Sequence, residues 1–272
     1  MRRYLARKNF VDYNRYVCPE GEEPQEHHQL ICNIVQMVLE GKLKNVMFFL
    51  PPGSAKSTYL SVRLPAYYVS TMERKNVIAA SYADTLASLF GKRARSLLMS
   101  PEHRALFTAQ LTQDSKAKGE WETDNDNTYY ACGVGGSVTG RRGDLGIIDD
   151  PVRSRQDADS EVKRESTWQW YLSDFKTRLK PEASTIIIMT RWHEDDLAGR
   201  ILPEDYDGES GMIQCHDEQE WFVVNLPAEA RDNDMLGRKP GEWLWPEWFT
   251  PDFWEQLKAE QPPRNWNSLY QQ

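Results

Sequence analysis

Five apolar residues, Val46-Met47-Phe48-Phe49-Leu50, run directly into Pro51-Pro52-Gly53-Ser54-Ala55-Lys56-Ser57-Thr58. A run this short and this apolar reads as a strand buried on both faces, and a small-residue turn ending in Lys-Ser-Thr reads as the entry to a helix. Such a turn aims backbone N–H groups at one point at the helix N-terminus, where a polyphosphate is held. On that reading Gly53, Ser54, Ala55, Lys56, Ser57 and Thr58 bind phosphates. Lys56 would reach the β- and γ-phosphates, and the Ser57 hydroxyl would ligate Mg²⁺. The pattern is incomplete, because Leu50 and Ala55 stand where glycines are usual and Gly53 is the one glycine of the loop. A plain turn between strand and helix is the alternative reading.

The rest of the chain repeats the same architecture. Strands are expected at 45–50, 76–82, 128–134, 145–150, 184–190 and 221–226. Helices are expected at 27–40, 56–70 and 84–99, from Asp159 or Ser160 to about Leu179, and at 194–202. The strands are continuous apolar runs without period-two alternation and they alternate with helices. This predicts an α/β fold with a mostly parallel central sheet covered on both faces. Residues 101–127 are polar and carry no clear pattern. After residue 230 the chain turns Trp- and Pro-rich, with Trp243, Trp245, Trp248, Trp254 and Trp266. The expected division is an N-terminal segment at 1–26, a core at 27–230 and a small lid or linker subdomain at 231–272.

Composition narrows the function classes. The 272 residues suit one large α/β domain with a small appendage. A net charge of −8 argues against a whole surface built for non-specific DNA binding, and leaves room for a local basic patch. The four cysteines, Cys18, Cys32, Cys132 and Cys215, form no CxxC pair; they read as reduced thiols, not as a disulfide frame or a zinc site. The basic start has no long apolar stretch behind it, so it is not read as a secretory signal, and no run approaches a membrane span.

Three further stretches carry chemistry. Ile147-Ile148 end in Asp149-Asp150. A carboxylate at the tip of a neighbouring strand can hold Mg²⁺, and a second acid beside it can orient or deprotonate an attacking water. Asp149 suits the first role and Asp150 the second; alternatively, the strand simply ends in solvated acids. Gly140-Arg141-Arg142-Gly143 precedes that strand. Arg141 and Arg142 can stabilise charge on a transferring phosphoryl group, touch DNA phosphates, or be two solvated arginines in a turn. Thr190, at the tip of the strand ending in Met189, is placed to sense a γ-phosphate. The acids Asp195-Asp196 read as the first turn of the next helix, and His193 reads as a packed or surface histidine.

Taken together, these stretches resemble the ATPase domain of the large terminase subunit of tailed bacteriophages, the viral DNA-packaging motor. The resemblance runs through residues 51–57, Ser81-Tyr82-Ala83, 133–141, 147–151, Thr190-Arg191-Trp192-His193-Glu194-Asp195-Asp196-Leu197, Leu226-Pro227-Ala228 and Trp266 to Gln272. It implies a RecA-like (ASCE) P-loop NTPase in which Lys56 and Ser57 bind phosphate and Mg²⁺. Asp149 then ligates Mg²⁺, Asp150 activates water, and Thr190 links hydrolysis to movement. It implies ATP and Mg²⁺ as cofactors. The implied partners are double-stranded DNA, a portal protein, a small terminase subunit and copies of itself in a ring on the procapsid, in the host cytoplasm and with no membrane. The helix opening at His27 sits where such proteins place a segment that helps hold adenine.

Two departures shape the expectations. Many relatives carry an arginine inside the phosphate loop, whereas no arginine lies between residues 46 and 62 here. Arg141, with Arg142 as second choice, is therefore expected to act on a neighbouring subunit's ATP. The sequence also stops where the family usually passes into a nuclease domain, so an excised ATPase domain without DNA cleavage is expected. Arg93 and Arg95 are candidate DNA contacts. A helicase would need a second RecA-like domain, and a non-hydrolysing switch or scaffold would not need Asp150.

Overall fold

Strand β1 (Asn45–Phe49) is buried along its whole length, as a strand covered on both faces must be. Val46 and Phe48 point into one apolar layer, and Met47 and Phe49 into the other. The same alternation recurs in the strands beside it: Ile186 and Ile188 face the first layer, Ile187 and Met189 the second. This is the period-two geometry of a strand, expressed between two equally apolar environments.

The computed structural model describes residues 1–115, 117–216 and 218–272. Among the described residues the other strands are β2 (Asn76–Ser81), β3 (Glu120–Glu122), β4 (Thr128–Gly133), β5 (Gly143–Asp149), β6 (Leu179–Met189), β7 (Gly211–Gln214) and β8 (Glu220–Asn225). With β1 they form one sheet in the order β3-β4-β2-β5-β6-β1-β8-β7. The six strands from β4 to β8 in that order are parallel, and β3 and β7 close the two edges antiparallel. One strand, β6, is inserted between the strand that feeds the loop 51–58 and the strand that ends in two acids. The expected fold class, α/β with a mostly parallel central sheet covered on both faces, is therefore the fold observed.

The helices are α1 (Arg2–Lys8), α2 (Phe10–Val17), α3 (Glu26–Leu39), α4 (Leu64–Thr71), α5 (Asp84–Leu98), α6 (Pro101–Arg104), α7 (Arg155–Asp159), α8 (Glu161–Trp170), α9 (Leu197–Ile201), α10 (Pro251–Glu260) and α11 (Pro263–Asn265). Helices α2 to α5 cover one face of the sheet; residues 170–175 and α9 cover the other. The segment 1–26 joins the first layer through Phe10 and Tyr13, both fully buried. A third, smaller cluster gathers Ala228, Trp254 and Trp266 with Trp243, Phe249, Leu257 and Tyr270. It holds the Trp-rich end against the chain just past β8.

Some elements differ from expectation. Ser160 does cap a helix, accepting from the Lys163 amide, but α8 ends at Trp170, and a π turn and a short 3-10 turn carry the chain to Arg178. Leu179 opens β6 instead of closing that helix, because it pairs with Gly143, and the extra residues of β6 before Ser184 pairs with Leu145 are taken up as an irregularity in β6. Asp196 is the N-cap of α9, not part of its first turn, and Asp195 pairs with Arg164 and Arg200. The polar stretch 101–127 contributes α6 and the edge strand β3, whose Trp121 stacks on Tyr129 at 4.7 Å between ring centroids.

His103 is one of the buried groups that make stability depend on pH. His103 is fully buried; its Nε2 donates to Ser70 Oγ at 2.8 Å, and its Nδ1 accepts from the Tyr13 hydroxyl at 2.9 Å. Ser70 already gives its proton to the Ala66 carbonyl, which fixes this neutral tautomer. Burial pushes the His103 imidazole down to about 4. Between pH 6.5 and that value the unfolded chain takes up a proton that the folded ring refuses, so the contribution of His103 to stability falls as pH falls, by roughly 3 kcal/mol when the interval is crossed. Urea unfolding at pH 7, 6 and 5 checks this. A His103→Gln protein should lose less stability than wild type over the same interval.

Candidate active site

The carboxyl ends of β5, β6 and β1 lie side by side, and each delivers one part of a polar cluster. From β1 the chain enters the loop at Leu50. Gly53 has φ +83° and Ala55 φ +59°. Both are left-handed, as a loop that folds its backbone round an anion requires. Ala55 bears a cost there that the usual glycine avoids, about 1–2 kcal/mol. Ala55→Gly is expected to return up to about 1 kcal/mol after the extra freedom of the unfolded chain is subtracted. That gain would raise Tm by about 2 °C in a thermal melt.

Lys56 opens the helix that follows, and its ammonium is almost fully buried. Its Nζ donates to Thr190 Oγ1 at 2.8 Å and to the Leu50 carbonyl at 3.3 Å, and lies 3.7 Å from an Asp150 carboxylate oxygen. Thr190 sits at the tip of β6, and its amide donates to Asp150 Oδ1 at 2.8 Å. Asp150 itself is at φ +44°. A non-glycine residue in that region stores roughly 1–3 kcal/mol of strain, tolerated where the surroundings over-determine it. Its amide donates to the Ile188 carbonyl and its carbonyl accepts from Tyr82, so both neighbouring strands hold it. The structure thus brings Lys56, Asp150 and Thr190 together.

Asp149 lies one residue deeper and is buried. Its Oδ2 accepts from Ser61 Oγ at 2.5 Å, and the Ser57 hydroxyl lies alongside. Burial pushes its carboxyl up, and the neighbouring Asp150 adds to this, to about 7, while Ser61, Lys56 and Ser57 pull the other way. Its second oxygen, Oδ1, is buried without a hydrogen-bond partner. A buried acceptor left over beside a serine hydroxyl fits the oxygen-donor set that Mg²⁺ takes, directly or through its water shell. Ser61 escaped the sequence reading. Its signal is the four-residue spacing from Ser57, which puts both hydroxyls on one face of the helix.

A second group of residues frames the loop. His28 Nδ1 accepts from the Gln25 amide, so Nε2 carries the proton and donates to the Ser54 carbonyl at 3.1 Å. Burial holds this ring neutral, its pKa pushed down to about 4. Tyr59 stacks on His28, and Trp245 packs against both His27 and His28. Phe249 covers Gly53 so closely that a Cβ there would meet the ring at 2.8 Å. Helix α3 and the Trp-rich end therefore meet over the loop. No local pattern announces contacts across such sequence separations.

Arg141 and Arg142 lie elsewhere. They precede β5, at the amino edge of the sheet, whereas the loop is at the carboxyl edge, about 20 Å away at 3.3 Å per residue. Arg141 pairs with Glu120 at 2.7 Å and stacks over Tyr130 at 3.6 Å. Arg142 donates to the Thr177 carbonyl. Neither reaches the phosphate loop of its own chain. Arg95, expected as a DNA contact, holds the Ser115 and Ala117 carbonyls instead, while Arg93 is exposed on α5.

Residues 47–271 match the family model described as terminase large subunit, T4likevirus-type, N-terminal. The chain belongs to this family. The matched range includes the loop 51–58, the acidic end of β5 and Thr190. No curated protein sequence matches the chain. Among solved structures it is similar to the large terminase of a thermophilic bacteriophage in complex with ATP-gamma-S, at 10% identity and a TM-score of 0.43. That match covers 84% of this chain and 47% of the phage terminase chain.

Proposed function

We propose that this terminase domain hydrolyses ATP and uses the cycle to drive double-stranded DNA into a procapsid. The observation that carries the reading is the convergence of Lys56, Thr190 and Asp150, within 3.7 Å of one another, beside a buried acid and a serine hydroxyl. Backbone amides of residues 53–58 and the Lys56 ammonium hold the phosphates and offset their charge. Ser57 and Asp149 would hold Mg²⁺, which when bound neutralises charge on the β- and γ-oxygens. Asp150, partly open to solvent and fixed by the Thr190 amide, orients the attacking water and accepts its proton. The Thr190 hydroxyl, bonded to Lys56, is placed to register whether a γ-phosphate is present.

Arg141 supplies charge stabilisation in this reading by reaching a neighbouring subunit's nucleotide in a ring of copies, since it cannot reach its own. The other partners are the portal protein and the small terminase subunit, in the host cytoplasm. With a net charge of −8, the isolated chain should bind DNA weakly and with strong salt dependence.

Steady-state phosphate release from ATP and Mg²⁺, with and without double-stranded DNA and portal-bearing procapsids, tests the reading. Turnover that needs Mg²⁺ and rises in the assembled motor supports it; no turnover under any of these conditions contradicts it.

A further inference from the structure

Three consecutive residues at the tip of β6 are each tied to a different part of the molecule. Thr190 bonds Lys56 and Asp150. The Arg191 amide donates to Gln272 Oε1 at 3.0 Å, and its guanidinium pairs with the buried Asp196 at 2.7 Å. The Trp192 carbonyl accepts from Arg155 Nη1 at 2.5 Å. Arg155 lies five residues beyond Asp150, and its other nitrogen, Nη2, reaches Asn265 Oδ1 at 3.0 Å and Ser268 Oγ at 2.5 Å. Its guanidinium also stands over the Trp192 ring at 5.3 Å.

We propose that Arg155 is a positioning residue that makes the C-terminal segment, residues 263–272, follow the nucleotide bound at the phosphate loop. Arg155 makes no ion pair among the described residues. Its planar fork is spent on neutral acceptors from two segments more than 70 residues apart in sequence. One arm fixes the strand tip, and the other fixes the turn at Asn265–Ser268. A phosphate that draws the Lys56 ammonium away from Thr190 alters the support of the tip. Arg191 and Trp192 lie one and two residues on, and through Gln272 and Arg155 they are hydrogen-bonded to residues 265–272. The tip is thus the two-state element, and Arg155 the member that gives it a second end. This rests on the phosphate loop binding ATP, as proposed above.

The test is hydrogen exchange of the whole chain with and without ATP-gamma-S and Mg²⁺, in wild type, Arg155→Lys and an Asn265→Ala/Ser268→Ala double variant. Lysine keeps the charge and the stem but cannot span both segments. The double variant removes the far acceptors and leaves Arg155 untouched, so the proposal does not depend on one variant folding. In wild type, nucleotide should slow exchange both in residues 51–58 and in residues 263–272, the latter at least about 5-fold. In both variants residues 51–58 should still respond while 263–272 respond less than about 2-fold. A merely structural staple would raise exchange of 263–272 in both conditions and leave the nucleotide response intact, which overturns the proposal. So does a wild type in which 51–58 respond and 263–272 do not. Wild-type residues 51–58 that ignore nucleotide overturn the ATP-binding reading itself, and the proposal with it.

Discussion

Lys56→Ala is expected to lower kcat/KM for ATP by at least about 100-fold, through weaker binding as well as slower turnover. The ammonium sits in the loop's polar cluster and is withdrawn from water. A charge-assisted contact of that kind contributes roughly 1.5–3 kcal/mol to a bound phosphate. Further stabilisation develops only as charge builds on the transferring group. Nucleotide titration separates the two parts: the affinity loss reports ground-state contact, and the remaining fall in kcat reports the transition state. A variant that bound and turned over ATP as wild type does would remove Lys56 from the site.

Trp254→Ala is expected to cost about 3–5 kcal/mol of stability, the range for deleting a buried aromatic side chain. Trp254 is fully enclosed at the centre of the third cluster. It packs against Trp243, Phe249, Phe253 and Tyr270, and its Nε1 donates to the Leu244 carbonyl at 3.1 Å. The loss should also reach the phosphate loop, because Phe249 rests on Trp254 from one side and covers Gly53 from the other. Urea unfolding reads the first effect, and limited proteolysis within 231–272 reads where it falls. A cost below about 1 kcal/mol would mean that this end repacks without its central ring.

The parallel sheet was legible in the sequence because its strands are apolar on both faces. Val46–Leu50 and Ile147–Asp149 have nowhere to go but between two layers. The edge strands were not legible for the opposite reason. β3 is Glu-Trp-Glu, with Trp121 alone buried, and β7 alternates over four residues, too few to separate from a loop. The meeting of Lys56, Asp150 and Thr190 was legible because each stands at the end of an apolar run, and parallel strands bring such ends to one edge. The same logic run backwards places Arg141 at the far edge, since it precedes its strand. The meeting of His28, Trp245 and Phe249 over the loop left no trace in local pattern, and neither did the bridge from Arg155 to Ser268. Both depend on how the chain returns after β8, which is tertiary packing and not periodicity.

The most direct measurement is phosphate release from ATP and Mg²⁺ by wild type and Asp150→Asn, with ATP affinity determined for both. The substitution keeps an oxygen for the Thr190 amide and removes the group that would accept a proton from water. Turnover falling by about 100-fold or more while ATP still binds is the result predicted for a hydrolytic site with Asp150 as its base. Equal and robust turnover in the two proteins would contradict it.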